Sequence, residues 1–179
     1  MTPAVAVAGA SVAWLGAAVL VLSDERRGLA LGIAVAAAGL AIATAAAGKD
    51  LVADGALVVG GACSAGLQFG RGGASWGLMP PGSTPRLIGS LVTLILTVLV
   101  VGTGLQDPAG VARLGALTVA VMAAGRLLTV RRRWAALGAG SALALGLGAL
   151  GSAPTLWLAG VVATTLSLID LVGPEEVAG

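Results

Sequence analysis

The sequence predicts an all-α integral membrane protein: a bundle of about seven transmembrane helices with the N-terminus outside and the C-terminus inside. Three observations predict it. Apolar residues make up 58% of the 179 and charged residues only 10%, against roughly a quarter charged in a soluble domain. Mean hydropathy is +1.02. The apolar residues fall in continuous runs of about 20, the length that crosses a hydrocarbon core. Such a chain cannot cover a soluble surface with charge, and it is too apolar to stay disordered. Barrel strands would alternate over about ten residues, which these runs do not.

Cutting at charges, Pro and Gly gives spans of roughly 3–22, 28–47, 51–69, 86–105, 108–130, 134–150 and 154–172 in one polytopic domain, 1–179, with no soluble domain. Thr2-Pro3, Thr84-Pro85 and Asp107-Pro108 each place a capping oxygen before a proline at the first helical position, where its missing N–H costs nothing. Asp24 and Asp50 are expected to cap the second and third spans, and Pro154 suits the first turn of the seventh. Gly48 and Gly151 stand where a helix end calls for a left-handed residue. The tight hairpins Gly48-Lys49-Asp50 and Gly151-Ser152-Ala153 are the weakest cuts. If either pair is one broken segment, six spans remain possible.

Charge placement orients the spans. With seven, one side carries Arg26, Arg27, Arg71, Arg86, Arg131, Arg132 and Arg133, while the loops of the other carry only Lys49 as a cation. The positive-inside rule puts the arginines in the cytoplasm. The first charge is Asp24, so the first span lacks the basic n-region of a cleaved signal peptide and reads as a retained helix. The net charge of +2 comes from these topogenic arginines and does not imply nucleic-acid binding. The expected location is the cytoplasmic membrane of a prokaryote.

Composition assigns positions. Helices associate in lipid through small residues. Gly28 and Gly32 in the second span, Ala56, Gly60, Gly61 and Ala65 in the third, and Gly138, Ala142 and Gly146 in the sixth suggest that these three lie mid-bundle. A GC-rich genome also enriches Ala and Gly, and one Lys against nine Arg fits that bias. Span 86–105 is bulky and β-branched and reads as peripheral, facing lipid or a partner. Trp14 reads as packed or lipid-facing, and Trp76 and Trp134 as inner-interface anchors.

Ionisable groups inside a membrane are costly and mark candidate sites. Four qualify: Asp54 and Arg113 at similar depth near the outside, Arg126 and Asp170 near the inside. They suggest two depth-matched charge pairs, with Arg131 as another partner for Asp170. The alternative is snorkelling and structural ion pairing. The midplane holds hydroxyls, among them Thr97, Thr118, Ser141 and Thr164, expected to bond their own i−4 carbonyls. Cys63 reads as a small buried residue, and Gln68 lies near the inner interface.

The chain has no His, Tyr or Asn and a single Cys. That removes imidazole catalysis, a disulfide within the chain, and His or thiolate metal sites. The only Lys lies in an outer loop, and Asp54 and Asp170 are expected at opposite faces, so neither a Ser-Lys nor a paired-carboxylate mechanism fits. No catalytic residue, cofactor or metal is expected. The longest loop, 70–85, is rich in Gly and Pro yet carries Trp76, Leu78, Met79, Pro80 and Pro81, which suggests docking onto a partner or the membrane surface.

Aligning Pro3 with Pro108 brings Arg26-Arg27 onto Arg131-Arg132 without a gap, which would suit an internal parallel repeat. The resulting 3+1+3 layout resembles that of SWEET-type sugar transporters in topology only, since their Pro-Gln pair and pocket asparagines are absent here. The expected function is therefore a non-catalytic integral subunit of a larger membrane complex, in transport or energy conversion. It would contact lipid, and other subunits through span 86–105 and loop 70–85. The alternative is a self-contained small-solute or ion transporter or channel.

Overall fold

A computed structural model describes residues 3–48, 50–71, 84–102 and 107–172. Seven α-helices account for nearly all of them, and the described residues contain no strand. They are α1 (Pro3–Leu22), α2 (Arg26–Ala46), α3 (Leu51–Gly70), α4 (Thr84–Gly102), α5 (Pro108–Thr129), α6 (Arg133–Leu150) and α7 (Ala153–Val172). Six are long and apolar enough to cross a membrane; the described apolar stretch of α4 is Thr84–Leu99.

The helix ends follow local chemistry. The Asp50 carboxylate accepts from the Val52 N–H at 3.0 Å, and Asp107 accepts from Ala109 and Gly110 ahead of Pro108. Each satisfies amide donors that a helix start leaves open. Gly48 takes φ +77° after α2, where any other residue except Asn would be strained. Two expected ends differ. Glu25, not Asp24, occupies the cap position of α2, and its side chain makes no capping bond. Asp24 is engaged elsewhere, as described below. Gly151 is extended rather than left-handed, because the turn into α7 is closed by Thr155, whose hydroxyl donates to the carbonyls of Gly148 and Ser152.

The helices form two rows of three. α1, α2 and α3 make one, α5, α6 and α7 the other, and they stack as α1 on α5, α2 on α6 and α3 on α7. α2 and α6 are the central members. α3, expected mid-bundle, is instead an end member packed on α2, α6 and α7. α4 leans on α1 and α5 at one end of the stack.

Small residues set the spacing of the rows. Gly9 and Gly16 of α1 meet Gly39 and Gly32 of α2 across an antiparallel seam. A Cβ on Gly9 would lie 2.6 Å from the Ala43 amide nitrogen, and one on Gly32 2.7 Å from that of Leu20. Gly16 abuts Ala36 backbone, and Gly39 abuts Ala13. Gly60 of α3 likewise touches the Gly160 backbone of α7. Backbones this close gain dispersion contacts that bulky side chains would prevent. By contrast Gly55, Gly66, Gly70, Gly89 and Gly125 face open space. Close packing therefore explains part of the glycine content and leaves the rest unaccounted for by contact.

The core is built of Ala, Leu and Ile at the row interface, with Leu20, Leu29, Ile33, Leu40, Leu57, Leu145 and Leu156 fully buried. The outer faces carry exposed Leu, Ile and Val, sparse on α1, α2 and α6 and dense on α4 and α7. Aliphatic side chains around the perimeter suit a lipid solvent.

Candidate functional site: the arginine-rich end

The C-termini of α1, α3, α5 and α7 and the N-termini of α2, α4 and α6 gather at one end of the bundle, and most of the described charges gather with them. A helix C-terminus leaves carbonyls without amide partners and carries partial negative charge. Arginine answers both needs, because its planar fork offers several donors at once.

One cluster closes α1. Arg126 of α5 donates to the carbonyl of Val21 at 2.9 Å and to that of Ser23. It also reaches Asp24 Oδ1 at 3.4 Å, the same oxygen that Arg86 of α4 holds at 2.7 Å. The Arg126 side chain is 2% exposed while Asp24 is 43% exposed, so the cation lies inside and its carboxylate at the rim.

A second cluster closes α7. Arg71, just beyond α3, donates to the carbonyls of Asp170 and Leu171 at 2.7 and 2.8 Å. The Asp170 carboxylate accepts from Arg26 at 2.5 Å. Arg26 also stacks over Trp134, 5.1 Å from its ring centroid, and Arg27 over Phe69 at 5.2 Å. Trp134 is thus buried under a cation.

Above the second cluster runs a buried polar track. Ser64 of α3 and Ser167 of α7 share a hydrogen bond of 2.5 Å, and Ser141 of α6 donates to the Ala163 carbonyl while approaching Ser167 at 3.4 Å. Gln68, one turn beyond Ser64, is 1% exposed, and among the described residues neither amide atom meets a partner. Leaving such a group unmatched in a dry interior costs several kcal/mol, roughly 2–7.

Among the described residues, two of the clefts open on the flanks. One, about 320 Å³, lies between α4 and α5 beside the first cluster. The other, about 290 Å³, lies between α3 and α7 around Trp157 and Val161 and is almost wholly apolar.

The expected charge pairs do not form. Asp170 pairs with Arg26 rather than Arg126 or Arg131, because Arg126 is drawn to the open end of α1. Asp54 is buried in the first turn of α3, whereas Arg113 is exposed on α5, whose neighbours are α1, α2, α4 and α6. Arg131, Arg132 and Arg133 are exposed where α6 begins. Cys63 is exposed, not buried. The i−4 bonds of Thr97, Thr118, Ser141 and Thr164 all form. Trp14 packs against the core and donates to the Ser90 carbonyl of α4 at 3.2 Å. Trp76, Leu78, Met79, Pro80 and Pro81 lie outside the described residues, as does Lys49.

The sequence alone assigns Arg26, Arg71 and Arg86 to orientation. In the structure each also holds a helix end or a carboxylate. The position of Arg71 and Arg126 at helix C-termini is the signal that points there. Among the described residues, no group of three or more metal-ligating side chains comes together. No protein-family model, curated protein or solved structure matches the chain.

Proposed function

We propose that the chain is a non-catalytic integral membrane subunit of a larger assembly, serving transport or energy conversion by packing against partner helices. The arginine-rich end lies in the cytoplasm in this reading, with the N-terminus outside, and the membrane is the cytoplasmic membrane of a prokaryote. The observation that carries the proposal is the two-sidedness of α4. Arg86, Gly89, Ser90, Thr93 and Thr97 form one stripe at helical spacing. Arg86 and Ser90 meet Asp24 and Trp14, and the Thr97 hydroxyl lies 3.3 Å from that of Thr118. The opposite face presents Ile88, Leu91, Val92, Ile95, Leu96, Val98 and Leu99, all exposed. A helix held to its own bundle by a few polar links, with a bulky aliphatic face turned away, suits insertion between two subunits.

The placement of the buried carboxylates supports a non-catalytic role. Asp54 lies near the start of α3 and Asp170 near the end of α7, at opposite ends of the bundle. A second reading, a self-contained small-solute transporter, draws support from the Ser64–Ser141–Ser167 track and the unmatched amide of Gln68.

Purification in mild detergent at native expression separates the two. The subunit reading expects a stoichiometric partner polypeptide that is lost when Ile95 and Leu96 are both changed to Ala. A lone monomer or homo-oligomer with solute flux after reconstitution, abolished by Gln68→Leu, contradicts it and establishes the second reading.

A further inference from the structure

We propose that the cleft between α4 and α5 is a binding site for an anionic phospholipid, a step that rests on the membrane reading above. The cleft has a polar end and an apolar length. At the polar end stand Arg86 and Arg126 with Asp24, two cations against one carboxylate. Arg126 is almost fully buried, and among the described residues its Nε finds no acceptor. A phosphate diester at this end meets a net positive charge, with the Arg86 guanidinium partly exposed at the rim. Guanidinium and phosphate oxygens match in geometry as well as charge.

The apolar length is kept open by two glycines. Gly89 of α4 and Gly125 of α5 both line the cleft, and a Cβ on either would meet nothing within 4 Å. Neither glycine is there to let helices touch, unlike Gly9 or Gly32. Their effect is a groove of about 320 Å³ on the bundle flank, wide enough for part of one acyl chain beside Thr93 and Val121. The charged end of the groove coincides with the arginine-rich end of the bundle, so headgroup and chain fall at the depths a bilayer gives them. Charge at one end and a mostly apolar surface along the rest, where Val21, Val121 and Met122 stand among the hydroxyls of Ser90 and Thr93, select an amphiphile over a free anion. The net charge selects an anionic headgroup over a zwitterionic one.

The test uses the full-length protein, delipidated in mild detergent and titrated with phosphatidylglycerol, phosphatidylcholine or inorganic phosphate while adducts are counted by native mass spectrometry. Carbonate extraction of native membranes comes first, because release into the soluble fraction would overturn the membrane reading itself. Phosphatidylglycerol should bind about tenfold more tightly than phosphatidylcholine. Arg86→Gln should remove about fivefold of that preference, consistent with roughly one cation's attraction to an anionic headgroup. Gly125→Leu, which fills the groove without changing charge, should weaken both lipids about equally. Both variants alter a rim or open position, and helical circular dichroism and elution volume verify that they fold. Equal binding of the two lipids, or preference unchanged in Arg86→Gln, overturns the proposal. So does inorganic phosphate displacing phosphatidylglycerol at millimolar concentration, which would assign the arginines to a soluble anion.

Discussion

The α1–α2 seam and α4 solve the same problem in opposite ways. At the seam, Gly9, Gly16, Gly32 and Gly39 bring two backbones into contact along most of both helices. α4 carries far bulkier side chains, yet it touches the bundle through a polar stripe and leaves its aliphatic face outside. In water the bulkier helix would be the better buried. In lipid, apolar bulk gives a helix no reason to leave its solvent, and close approach is what holds helices together. The seam is therefore a permanent part of the fold, and α4 is free to serve something else.

Substitutions should separate the two regions. The largest effect belongs to the seam: Gly16→Leu forces a side chain into Ala36 backbone that cannot yield, and should cost about 3 kcal/mol or prevent folding, read by thermal unfolding in detergent. Gly66→Ala, where the space is open, should stay within about 0.5 kcal/mol and serves as its control. Next comes the end of α1. Arg126→Gln exposes the carbonyls of Val21 and Ser23 and should cost about 2 kcal/mol by the same measurement. Smaller again is the Arg26–Asp170 pair. A double-mutant cycle with Arg26→Gln and Asp170→Asn should give coupling near 1 kcal/mol, roughly the range for contacting pairs, and the matching cycle for Arg113 and Asp54 should give none. The smallest effect on stability belongs to α4. Ile95→Ala should change unfolding by less than about 0.5 kcal/mol. If Ile95→Ala destabilises the bundle as much as Gly16→Leu, the contrast fails.

Much of the fold is legible in the sequence. Helix limits agree with the apolar runs to within a few residues because Pro3, Asp50, Asp107 and Pro108 mark them chemically, and because a continuous run in lipid leaves one solution for the backbone. The peripheral place of α4 follows from its bulk. The seam is harder to read, because its signal lies in the wider Gly9–Gly16 and Gly32–Gly39 spacings and not in the closer pair Gly28 and Gly32. Seven residues, like four, return nearly to the same helix face. The charge clusters are not legible. Depth along a helix can be counted, and depth matches Asp170 with Arg126. Azimuth cannot be counted without knowing neighbours, and it places Asp170 beside Arg26. Nor does sequence reveal that a carbonyl-rich helix end competes with a carboxylate for the same arginine, as α1 does for Arg126. The exposure of Cys63 has the same origin, since it depends on which side of α3 meets α7.

The polar stripe of α4 is hidden by its overall hydropathy. Arg86, Ser90, Thr93 and Thr97 read as scattered exceptions until their common face is seen to meet Asp24, Trp14 and Thr118. That stripe turns the bulky residues outward, and the subunit proposal depends on it.

Site-specific photo-crosslinking in native membranes tests that dependence most directly. A photoreactive residue is placed in turn at Leu91, Ile95 and Leu99 on α4, and at Leu15 and Val161 on other exposed faces. Adducts to a second polypeptide are expected from the three α4 positions, and lipid adducts alone from Leu15 and Val161. Lipid adducts alone from α4 as well would contradict the subunit proposal, and would return α4 to the perimeter of a self-contained bundle.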